Sequence, residues 1–175
     1  MQLRRKFAIA VCATALTAPV LSSCGFNLAT DEIYDPAAGT NSHEGAVDVL
    51  GAVVVAGQDD SGTLVAGLAN NENTEAVSLT AVAGEDATAD FEPIEVVGNG
   101  FVNLADEEVH VTGSFGAGDV LDLTLEFDNG DQVALEVPVV TNCDEFEGYD
   151  TSAEGAEASE DPAYSCEHAE SEAGH

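Results

Sequence analysis

The chain has 175 residues, with 3 basic and 34 acidic side chains, a formal charge of −31, and 45% hydrophobic but only 6% aromatic residues. All of the bases, Arg4, Arg5 and Lys6, sit in the first six residues, so nothing beyond them can neutralise a phosphate or an anionic headgroup. Nucleic-acid binding is excluded on charge, Arg–carboxylate pairs cannot add stability, and self-repulsion works against the compact state unless salt screens it.

Residues 1–6 followed by the uncharged apolar stretch Phe7 to Val20 form a charged n-region and a short h-region, the layout of a secretory signal peptide. The stretch falls short of the roughly 20 apolar residues of a spanning helix, and no later segment reaches that length. It ends on Leu21-Ser22-Ser23-Cys24, which resembles the bacterial lipobox. That resemblance implies a diacylated Cys24 sulfur, cleavage just before it, and attachment to the extracytoplasmic face of the cell membrane through palmitate-like chains. The competing interpretation is an ordinary signal peptide with a chance cysteine near its end. The lipobox is preferred because n-region, h-region and tetrapeptide are in register and no Ala-x-Ala site competes. Cys24 is then a thioether, and the membrane is met through the lipid anchor only. Removal of residues 1–23 discards the three bases and takes the charge from −31 to −34.

Gly25 to Gly45 has little periodicity and several turn formers, so residues 24–45 are expected to be anchor and tether, spanning roughly 25 Å r.m.s. if flexible. Residues 46–140 alternate, with regular turn signals, and predict an all-β domain with segments near 46–56, 62–70, 75–83, 88–97, 100–104, 108–113, 118–127 and 131–140. "AVDVLGAVVV" is apolar on both faces, as suits a central strand within two layers. "VLDLTLEF" places Leu121, Leu123, Leu125 and Phe127 on one face; "QVALEVPVV" does the same with Val133, Leu135, Val137 and Val139. A two-residue Asn-Gly turn between them would set apolar faces against each other. A three-residue loop, Asp128-Asn129-Gly130, instead pairs Leu125 with Val133 and Leu123 with Leu135, with Gly130 left-handed. About 95 residues in this pattern suit one Greek-key β-sandwich of immunoglobulin or cupredoxin size. Residues 141–175 hold 11 acids and few large apolar groups and are expected to be largely disordered.

The chemistry-bearing residues are sparse. Cys12 leaves with the signal peptide, which leaves Cys143 and Cys166 outside the cytoplasm, where disulfides persist. Their bridge would close a loop of about 24 residues, worth about 3 kcal/mol in the chain-entropy model. A thiol metal site is the less favoured alternative, because the spacing matches no metal motif. His43 falls in the tether and is expected to be solvated. His110 faces away from Val109 and Val111, and His168 and His175 lie in the acidic tail. These last three could collect Cu²⁺ or Zn²⁺ weakly, although plain solvation is the preferred expectation. The motifs "DNGD" and "QDDSG" lack the ligand series of a Ca²⁺ loop and are read as hairpin turns. No catalytic constellation is present: no G-x-S-x-G, no H-E-x-x-H and no phosphate loop. The expectation is therefore a protein that is not an enzyme.

"GTLVAGLANNENTEAVSLTAVAG", "GFVNLADEEVHVTGSFGAGDVLDLTLEFDNG" and "QVALEVPVV" together resemble the periplasmic copper chaperone (PCuAC-type) family, especially its actinobacterial lipoprotein branch. The resemblance covers about residues 45–140 and implies a cupredoxin-like Greek-key sandwich. It also implies an H-M…M…H-x-M copper site, which this chain does not carry. Only His110 falls at the second histidine, Thr112 replaces its methionine partner, and Met1 is the sole methionine. Without thioethers nothing selects Cu(I). The sequence thus predicts a membrane-anchored, non-enzymatic binding or envelope-accessory module. The alternative is a metal-handling protein that uses His110, His168 and His175 for Cu²⁺ or Zn²⁺.

Overall fold

Valine-rich alternation makes the longest strand, and the other strands are arranged around it. The computed structural model describes residues 38–152 and 161–166. Ten strands follow in chain order: β1 (Thr40–Ser42), β2 (Val47–Gln58), β3 (Ser61–Asn70), β4 (Val77–Gly84), β5 (Ala87–Asp90), β6 (Ile94–Val96), β7 (Phe101–Asn103), β8 (His110–Gly113), β9 (Val120–Phe127) and β10 (Gln132–Thr141). They pair side by side in the order β2–β10–β9–β4–β5–β8–β3, and β3 also pairs with β2, so the sheet closes on itself. Closure removes the open edges that a flat sheet would offer to other chains. β1, β6 and β7 lie outside the closed path, on β2, β4 and β3. The expected all-β sandwich is present, in barrel-like form. Among the described residues, no helix is long and apolar enough to cross a membrane.

A bulge explains how β2 is buried on both faces. Val47 and Val49 point inward, and then the pairing with β3 slips between Leu50 and Val53, where Gly51 has φ +63°. The extra residue moves the inward face to even positions, so Ala52, Val54 and Ala56 join the core cluster. Val53 and Val55 now face outward, yet both are buried. Something outside the barrel must cover them.

The β9–β10 hairpin has the three-residue loop expected from the sequence. Leu125 pairs with Val133 and Leu123 with Leu135, while Gly130 adopts φ +91° and its amide donates to the Phe127 carbonyl at 3.0 Å. The loop is anchored at both flanks. Asp128 accepts from the Ser78 amide and Asp131 from the Ala46 amide, each at 2.9 Å. These backbone hydrogen bonds hold both carboxyls below the ordinary 3.8. Their stabilisation is present above that value and is lost as pH falls through the lower folded ones. A carboxyl-carbon NMR titration should therefore show both groups changing below pH 3.8, and a midpoint at or above it would contradict the anchoring.

Three boundaries differ from the sequence expectation. The predicted strand 88–97 is two strands, β5 and β6, because Pro93 has no N–H to continue a ladder. Residues 40–42, assigned to the tether, form β1, with the Thr40 hydroxyl donating to the Glu136 carbonyl at 2.6 Å. Residues 141–152 and 161–166, assigned to a disordered tail, are packed: Cys143 is buried and Tyr164 belongs to the core cluster. Their polar groups find partners on β2 and β3, and that compensates for their poor apolar content.

Candidate functional site

Strand register builds one polar row on the outer surface. Asp90 lies opposite His110, His110 opposite Thr63, and Thr63 opposite Val55. Residues directly opposite share a face, so carboxylate, imidazole, hydroxyl and valine run in line across β5, β8, β3 and β2. Val109 and Val111 are both buried in the core, which turns the His110 ring outward as the alternation predicts. The ring is half-buried all the same, with Nε2 3.1 Å from the Thr151 hydroxyl.

The segment after β10 supplies that hydroxyl. Asn142 turns the chain: its amide donates to the Ala56 carbonyl at 3.1 Å, and its side-chain oxygen accepts from the amides of Gly148 and Asp150. The Asp150 carboxylate then accepts from the Gly57 amide at 2.7 Å and from the Thr63 hydroxyl at 3.3 Å. The Thr151 amide donates to the Thr63 oxygen at 2.9 Å, and the Ser152 and Ser61 hydroxyls meet at 3.3 Å. Thr63 is fully buried, and its side-chain hydrogen bonds run to Asp150 and Thr151. A buried hydroxyl without such partners costs about 1–3 kcal/mol. The segment therefore satisfies Thr63, which lies opposite Val55 on β2.

A disulfide between Cys143 and Cys166 joins the two ends of this segment. Beside it, the Tyr164 hydroxyl donates to Asp59 at 2.7 Å and accepts from the Ala117 amide at 3.1 Å. Burial, together with the Asp59 hydrogen bond, pushes the Tyr164 hydroxyl up to about 12 from 10.0. Because the folded value is the higher one, the contribution is complete below pH 10 and lost as pH rises through about 12. Allowing for solvent at the hydroxyl, this is roughly 1–2 kcal/mol. Tyr164→Phe is expected to remove that alkaline step. Urea midpoints measured at pH 9 and pH 11.5 would still differ in the variant if Tyr164 were not its source.

Of the sequence-derived candidates, the structure joins Cys143 to Cys166 and places His43 just after β1 and His110 on β8. His43 is exposed and pairs with Asp48 at 3.1 Å. Cys24, His168 and His175 lie outside the described residues. Among the described residues, no three His, Cys, Asp or Glu side chains converge on a metal-sized space. "DNGD" and "QDDSG" are both hairpin connections, the second closing on the Gln58–Ser61 pair. Sequence reasoning missed Thr63, Asp150, Thr151 and Tyr164. Two signals were available: β2 is apolar on both faces, and Tyr164 is a lone aromatic two residues before a cysteine in an acidic run.

No protein-family model and no curated protein matches the chain. Among solved structures, the chain is similar to the apo PCuAC domain from PmoF1, at 19% identity and TM-score 0.47, over 57% of this chain and 98% of that one. The copper-bound PCuAC domain from PmoF2 is similar at 16% identity and TM-score 0.48, over 58% and 97%. Its apo form gives 15% identity and TM-score 0.47, over 58% and 94%.

Proposed function

We propose that this chain is an extracytoplasmic lipoprotein, anchored through Cys24, whose β-sandwich serves as a non-enzymatic binding or envelope-accessory module. The observation that carries the reading is the Cys143–Cys166 disulfide. A structural disulfide belongs to an oxidising compartment, in keeping with a signal peptide that ends on Leu-Ser-Ser-Cys. The negative surface supports anchoring by lipid, because it offers nothing that attracts an anionic leaflet. Metabolic labelling with palmitate, combined with proteolysis of intact cells by a Glu-directed protease, tests the reading. The expected result is a labelled chain that is accessible from outside. An unlabelled chain, or one protected from the protease until cells are lysed, overturns it.

The second reading, capture of Cu²⁺ or Zn²⁺, draws on the His110–Asp90 register, which puts an imidazole and a carboxylate on one face. Both metals accept such ligands, and one of the similar solved domains is described as copper-bound. Calorimetry on residues 24–175 and on the His110→Asn variant separates the two readings. Affinity tighter than about micromolar, lost with His110→Asn, would favour capture. The module reading expects no such binding in either protein.

A further inference from the structure

We infer that the strap formed by Asn142–Ser152 is a redox-released cover, which the Cys143–Cys166 disulfide keeps seated over the neighbouring His110 and Thr63 side chains. The barrel itself does not depend on it: of the core cluster, only Tyr164 comes from beyond β10. The strap is held differently. Between its ends, hydrogen bonds link Asp150, Thr151 and Ser152 with Gly57, Thr63, His110 and Ser61 of the barrel. Two further side chains, Cys143 and Tyr164, are buried at and beside the disulfide. With the bridge formed, a lifted strap remains a closed ring and gains little entropy. Once the bridge is broken, the same lifting frees an open chain, which shifts the balance towards release.

The two sulfurs are placed unequally. Cys166 is exposed and Cys143 is buried, so an external dithiol reductant meets Cys166 first. Its thiolate attacks the Cys166 sulfur, the S–S bond breaks, and Cys143 leaves as a thiolate that takes up a proton. The reductant's second thiol then displaces Cys166 as a thiol and departs as the oxidised disulfide, two electrons having passed to the cysteine pair. The released strap exposes the Thr63 hydroxyl and the His110 imidazole together, beside the outward face of Val55.

Amide exchange followed by NMR, with and without dithiothreitol, tests this inference. The Gly57 and Thr151 amides report the strap, since they bond to Asp150 and Thr63; Leu123 and Leu125 report the barrel. Reduction is expected to accelerate Gly57 and Thr151 by roughly ten- to hundredfold and to leave Leu123 and Leu125 unchanged. Cys166→Ser should reproduce this without reductant, and diethyl pyrocarbonate should then acylate His110 several-fold faster. Unchanged exchange at Gly57 and Thr151 would show that the strap sits without the bond. Acceleration of all four amides together would show a staple for the whole fold. Either result overturns the inference.

Discussion

Leu125→Ala is expected to cost about 3–5 kcal/mol, a large part of the roughly 5–15 kcal/mol that holds a domain of this size. Leu125 is completely buried, and it pairs with Val133 on β10 and Val82 on β4. Both cross-strand partners are β-branched valines with few rotamers, so they collapse poorly into a cavity. Compensation from ion pairs is minimal in a chain without Lys or Arg after residue 6. The companion Thr124→Ala lies on the opposite face and should stay within about 0.5 kcal/mol. Urea is the right denaturant, because guanidinium would also screen the carboxylates. Unfolding at low and high NaCl should show both proteins gaining stability with salt while the gap between them holds. Equal costs for Leu125→Ala and Thr124→Ala would mean that the inward face of β9 is wrongly assigned.

The part of the fold that could be read in the sequence is the part made by local repetition. Alternation in β9 and β10 fixed which side chains face inward. The conflict between a two-residue turn and those faces then selected the three-residue loop seen at Asp128–Gly130. β1 gave no such signal: Thr40-Asn41-Ser42 has no apolar alternation and is a strand because β2 lies beside it. The bulge at Gly51 was hidden for a different reason. In a run that is apolar on both faces, a one-residue slip leaves the pattern unchanged. The strap was hardest to foresee, because its order comes from hydrogen bonds to groups distant in sequence, such as Asp150 to Gly57. Composition describes what a segment can bury, and it is blind to which buried hydroxyl awaits a partner.

The same one-sided charge that burdens the barrel decides how the chain can meet a membrane. Peripheral proteins commonly combine an acyl chain with a basic patch, since one chain alone binds only marginally. With residues 1–23 removed as proposed, the chain would keep no Lys or Arg and would carry −34, from −31 less the three bases lost. An anionic leaflet therefore repels it. On the proposed lipoprotein reading, attachment comes from acyl chains at Cys24 alone, at about 0.8 kcal/mol per buried CH₂. Two consequences follow. The wild-type chain should stay with membranes through washes in 1 M NaCl, where electrostatic binding would fail. Cys24→Ala should abolish palmitate labelling completely and move the processed chain to the soluble fraction. Precursor retained by its h-region is told apart by the added mass of residues 1–23. A Cys24→Ala protein that still takes up palmitate would refute the anchor. A wild-type chain released by salt alone would mean that charge holds it to a surface after all, and that surface would have to be basic.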